Sequence, residues 1–111
     1  LLLMNWWDPM SPNMIGRIFD QVPFPGWALE HAAITETSLM MYVAPELVRQ
    51  DLIADVGKTD PGFCYRYPID KDSIPSNGVL ATARSSSAQK GQWIVEDVVS
   101  NISDFIRREF C

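Results

Sequence analysis

The chain of 111 residues holds a single histidine and only two cysteines. One histidine is too few for most hydrolytic metal sites. Cys64 and Cys111 lie far apart, with no Cys-x-x-Cys or Cys/His spacing, so neither a zinc module nor a disulfide framework is expected. Long apolar runs are also missing. No stretch reaches the ~18 residues a membrane span needs, and Leu1-Leu2-Leu3-Met4 lacks the basic start of a signal peptide. Basic clusters are equally scarce. The nine Lys and Arg are scattered in a chain of net charge −5, and Arg107-Arg108 is the one basic doublet. A nucleic-acid partner, which requires a concentrated basic face, is therefore not expected. The cytoplasm is the default location.

Apolar residues make up 47% of the chain, enough for the core of one domain. The chain does not begin with methionine, and its apolar start followed by Asn5-Trp6-Trp7 reads as a buried strand of a parallel sheet. A chain that opens inside a central strand is expected to be a fragment. Ser11-Pro12 then marks a helix start, and Met14, Ile15, Ile18 and Phe19 carry helical spacing to about residue 21. Pro23 and Pro25-Gly26 end that helix and present Trp27 from a loop. A second helix is expected from Ala32 or Ala33 to Val43, closed by Pro45. Leu47-Val48 to Leu52-Ile53 and Val79-Leu80 read as short strands, between loops punctuated by Pro61, Pro68, Pro75 and Asn77-Gly78. The last helix is the clearest element. Ser85-Ser86-Ser87 offers a cap, and an apolar stripe runs through Trp93, Ile94, Val95, Val98, Val99, Ile102, Phe105 and Ile106. Glu96, Asp97, Asn101, Asp104, Arg107 and Arg108 fill the opposite face. The sequon Asn101-Ile102-Ser103 falls within this helix and has no secretory context.

The chemistry concentrates between Trp27 and Ser38. An indole stands four positions before the only imidazole, His31, which is flanked by Glu30 and followed by Glu36. Glu30 and His31 fall at the start of the second helix, and Glu36 one turn in, so His31 and Glu36 can face one cavity. These residues allow two readings. His31 is either a structural imidazole satisfied at a helix end or the polar group of a pocket. Glu36 is either a third-position carboxylate reaching back to free amides or a site residue. Trp7 and Trp27 are either core aromatics or substrate walls. Tyr65-Arg66-Tyr67 is either an anion contact or an exposed loop.

The run Trp27-Ala-Leu-Glu-His-Ala-Ala-Ile-Thr-Glu-Thr-Ser-Leu-Met-Met-Tyr-Val-Ala-Pro-Glu-Leu-Val48 closely resembles the creatininase (creatinine amidohydrolase) family. That family has a Trp-x-x-Glu-His element leading into a Glu-Thr-Ser helix that closes with Pro-x-Leu-Val. The likeness extends to Trp7-Asp8, to Gly78-Val79 and to Ser87-Ala88-Gln89-Lys90-Gly91, and is weakest between about 50 and 76. It implies a three-layer α/β/α fold, of which residues 1–111 are the C-terminal part of a single domain. It also implies a cytoplasmic homo-oligomeric enzyme that opens creatinine to creatine with a water activated by two divalent metals, zinc and manganese.

By that resemblance His31 is the proton shuttle and Glu30 orients it or shares its proton. Trp7 and Trp27 sandwich the planar substrate beside Ala28 and His31, and Glu36 supports the site from behind. The family's metal ligands lie in its N-terminal half and have no counterparts here, so no metal ligand is expected in this chain. Ala28 stands where creatininases often carry aspartate. His31-Ala32-Ala33-Ile34-Thr35-Glu36 lacks the first glutamate of the His-Ala-Gly-Glu-x-Glu-Thr-Ser run found in relatives with other substrates. The alternatives are a creatininase-fold amidase for another small amide and a non-catalytic α/β module without the metal half.

Overall fold

The structure is a computed structural model that describes residues 1–56, 59, 62, 64 and 66–111. Three α-helices organise it: α1 (Pro12–Ile18), α2 (Ile34–Val43) and α3 (Ala88–Phe110). Single 3₁₀ turns lie at Pro45–Leu47, Gln50–Leu52 and Lys71–Ser73. α3 is the backbone of the assembly, with α2 packed along it and α1 against the same helix. Met10, Met14, Ile18, Ile34, Ile94 and Val98 form the buried centre, and Trp6, Phe19, Trp27, Leu39, Trp93 and Ile102 pack around them.

α1 and α3 begin where their serine caps dictate. Ser11 Oγ accepts from Met14 N at the start of α1, and Ser87 Oγ accepts from Lys90 N at the start of α3, both at 3.1 Å. α1 stops at Ile18, three residues short of the expected end. Beyond it the Phe19 ring turns onto Phe24 (4.8 Å between centroids) and Asp20 turns to Lys90. Both contacts pull the chain off the helix axis.

The expected strands do not form among the described residues. Leu1–Met4 is exposed, and no described segment pairs with it to complete a ladder; a strand's amides and carbonyls need a partner strand, however apolar its side chains are. The Leu47–Ile53 segment coils into two 3₁₀ turns, seeded by Pro45, whose fixed φ suits a helical first position. Val79-Leu80 is likewise irregular, although Leu80 N donates to His31 O at 3.2 Å. Of the loop residues singled out from the sequence, Pro61 and Tyr65 lie outside the described residues, and Arg66 and Tyr67 are exposed.

α3 follows the expected stripe at Ile94 and Val98, which are buried, while Val99 and Ile106 face outward. Two residues of its supposed solvent face do structural work. Asp97 Oδ2 accepts from Ser11 N (3.1 Å) and Asn101 Nδ2 donates to Pro9 O (2.9 Å). Together they clamp the turn carrying Trp7 onto α3. At the other end of α3, Gly91 lets α2 approach without a side chain between them. A Cβ there would stand 2.0 Å from Ser38 O and 2.8 Å from Tyr42 Cβ. Ser38, fully buried, accepts from Ser87 N at 3.2 Å through its hydroxyl and completes the junction.

Candidate active site at the N-terminus of α2

The segment preceding α2 is wound tightly. Gly26, at φ +87°, makes a turn whose carbonyl accepts from Leu29 N (3.0 Å) and Glu30 N (3.1 Å). Ala32 then adopts φ +52°, a conformation uncommon for a residue with a Cβ. The first residue before α2, Ala33, has no side chain able to cap the helix. Two glutamates supply what it lacks. Glu30 Oε1 accepts from Thr35 N at 2.6 Å and from Thr35 Oγ1 at 2.9 Å. Glu36, third in α2, reaches back so that its Oε2 accepts from Ala32 N.

The two carboxylates therefore divide the labour differently from the arrangement the resemblance implies. Glu36 is the one beside the imidazole, with Oε2 3.8 Å from His31 Nδ1. That separation is an ion-pair approach, longer than a hydrogen bond. Glu30 points inward instead and is only 7% exposed; among the described residues none of its hydrogen bonds reaches His31, and its Oε2 has no partner. Burial raises the Glu30 carboxyl above its ordinary value, and the nearby Glu36 charge adds to the rise; the bonds from Thr35 oppose both. Of the two carboxylates it is Glu36, not Glu30, that approaches the imidazole.

His31 itself is open to solvent, its side chain 65% exposed. Ala28 is exposed beside Trp27. Trp7 and Trp27 do meet, although they are 20 residues apart in sequence: their rings stack at 5.9 Å between centroids with 23° between planes. Trp6 sits edge-on to Trp7 (5.6 Å), and Phe24 edge-on to Trp27 (4.9 Å), so an aromatic row flanks the site. A planar guest between two parallel rings needs about 3.5 Å on each face, or about 7 Å in all. In this arrangement the two indoles rest on each other. A ring enters between them only if the loop carrying Trp27 swings aside.

The described residues do not bring together three His, Cys, Asp or Glu side chains able to hold a metal ion. His31 and Glu36 are a pair, and Glu30 lies buried beneath them.

The creatininase family profile, described as "Creatinine amidohydrolase", matches residues 5–106. The chain belongs to the creatininase family. It is 35% identical over 112 residues to the creatinine amidohydrolase of Pseudomonas putida, covering 99% of this chain and 42% of that protein. Among solved structures it superposes on one named "Creatininase Mn" with a TM-score of 0.90 at 34% identity, covering 98% of this chain and 42% of the other. It superposes on a mutant creatininase complexed with creatine with a TM-score of 0.87 at 35% identity, covering 95% and 41%. A mutant creatininase of Zn-Zn type gives 0.91 at 34% identity, covering 98% and 42%. The chain therefore spans about two-fifths of the length of these relatives and shares the creatininase fold over that span. None of its described helices is long and apolar enough to cross a membrane.

Proposed function

We propose that this chain is the C-terminal part of a creatininase-type amidohydrolase, one that opens the lactam ring of creatinine to give creatine. In this reading it completes a three-layer α/β/α domain, and the whole enzyme is a cytoplasmic homo-oligomer. Exposed Leu1, Leu3, Leu47 and Phe110 supply apolar surface for such completion. The observation that carries the reading is the exposed His31 held against Glu36 at the start of α2. The Mn and Zn-Zn forms among the relatives support two divalent metals in the whole enzyme. Their ligands would come from outside this chain, which contributes substrate walls and proton handling.

The chemistry assigned to the chain follows from its geometry. A carboxylate facing Nδ1 favours the tautomer with the proton on that nitrogen. Nε2 is then free to take a proton from the attacking water and return it to the ring nitrogen as the amide bond breaks. Trp7 and Trp27 part to take the planar ring and stack on its two faces, excluding water from it. Glu36 holds the imidazole in register.

His31→Ala is expected to lower creatinine turnover about 10²-fold or more. Turnover like that of the wild type would remove His31 from the reaction. A second reading, an amidase for another small amide, is favoured by Ala28, which puts a methyl group beside Trp27 where a hydrogen-bonding group would recognise creatinine. Ala28→Asp improves creatinine turnover if the first reading holds and leaves it unchanged if the second does.

A further inference from the structure

Among the described residues no hydrogen bond joins the Glu30 side chain to His31, yet it is the most deeply buried carboxylate at the site, and neither reading above gives it a task. α2 starts at Ala33 without a side-chain cap. Its second amide, Thr35 N, is satisfied by Glu30 Oε1, which also holds the Thr35 hydroxyl. The Ala32 amide just before the helix is taken by Glu36. Each glutamate holds an amide that the other leaves free, and Ala32 is kept at positive φ between them. Glu36 can face His31 only while its oxygen stays on Ala32 N, since that bond fixes its rotamer. The bond in turn requires the 30–35 turn to stay wound. Thr35, fully buried, cannot exchange Glu30 for water.

We propose that Glu30 is a positioning residue: its bonds to Thr35 wind the turn that places Ala32 N against Glu36, and so hold Glu36 beside His31. This role rests on His31 and Glu36 being the working pair, and it assigns Glu30 no contact with substrate or with the imidazole. Length and acceptor geometry at position 30 then matter more than negative charge. The unpartnered Oε2 agrees with this, because only one of the two oxygens is used.

The test is hydrogen exchange by mass spectrometry on the full-length protein carrying this chain, without substrate, with Glu30→Asp and Glu30→Gln compared. Glu30→Asp retracts the acceptor by one methylene and keeps the charge. Glu30→Gln keeps the acceptor and removes the charge. The expected result is that Glu30→Asp speeds exchange of the amides in the peptide spanning residues 27–41 roughly tenfold. Glu30→Gln stays within about twofold of the wild type there, and exchange across α3 is unchanged in both. A normal 27–41 peptide in Glu30→Asp overturns the proposal, as does equal loosening in Glu30→Gln. Loosening that spreads into α3 also overturns it, since Glu30 is then a general support of the fold. Exchange is read without turnover, so a failed amidohydrolase reading and a failed positioning role are told apart. If both stand, Glu30→Asp lowers kcat and leaves KM within about twofold, because the indole walls are untouched.

Discussion

Replacing Gly91 with alanine is the sharpest test of how α2 is held. On an open helix face this change stabilises, since alanine is a better helix former than glycine by about 1 kcal/mol. At position 91 the new methyl carbon would lie 2.0 Å from Ser38 O, 2.6 Å from Ser38 C and 2.8 Å from Tyr42 Cβ. Ordinary contact requires about 3.5 Å, so the helices must part by about 1.5 Å at their junction. The obstacle is backbone rather than the tip of a side chain, so rotamer change gives no relief. Overpacking of this kind costs about 1–3 kcal/mol, and parting the helices also strains the Ser87 N–Ser38 Oγ bond, worth about 1 kcal/mol. After the gain in helix propensity, the net loss is about 1–3 kcal/mol, roughly one to two orders of magnitude in the folding equilibrium. Gly16 in α1 is the control, because a Cβ there meets nothing within 4 Å. Gly16→Ala should therefore stabilise by up to about 1 kcal/mol. Urea unfolding of both variants decides the matter through midpoints at constant slope. A Gly91→Ala protein as stable as the wild type would refute the close helix crossing.

Further expectations concern charge and the indole pair. The raised Glu30 carboxyl means that the native state binds more protons than the unfolded state above the ordinary value of 4.5, so this group's contribution to stability falls as pH rises through that window. Thermal melts of wild type and Glu30→Gln should therefore diverge as pH climbs from 4 toward 7, with the variant gaining; parallel curves would place Glu30 in a solvated environment. Asp20 behaves oppositely. The Lys90 ammonium, 2.7 Å away, holds its carboxyl below the usual value of 3.8, so its contribution is present at neutral pH and is lost only as pH falls through the lowered value. Lys90 is the buried partner, so Asp20→Ala, which strands a cation, should destabilise more than Lys90→Met in the same melts. Trp27→Ala should raise KM for creatinine with a smaller change in kcat, and unchanged kinetics would make Trp27 a packing residue.

Much of the candidate site was legible because it is local. The spacing of Trp27, Glu30, His31 and Glu36 follows from one turn and one helix start, and serine caps at positions 11 and 87 needed only their own neighbours. What misled was any feature whose partner lies far away or is missing. Apolar Leu1–Met4 and Leu47–Ile53 have strand composition, but a strand is a relation between segments, and no described segment pairs with them. Asp97 and Asn101 looked like a solvated face because nothing in α3 itself indicates that residues 9–11 dock there.

By itself, then, the order of residues determined where the helices start, which side of α3 is apolar and which side chains can carry protons, since each depends on contacts within a few positions. Tertiary structure decided the rest. It placed Glu36 beside His31 and buried Glu30 against Thr35. It also stacked Trp7 on Trp27 across 20 residues and left no room for a Cβ at Gly91 by bringing Ser38 against it. Direction and distance between remote segments come from packing, which no local pattern encodes.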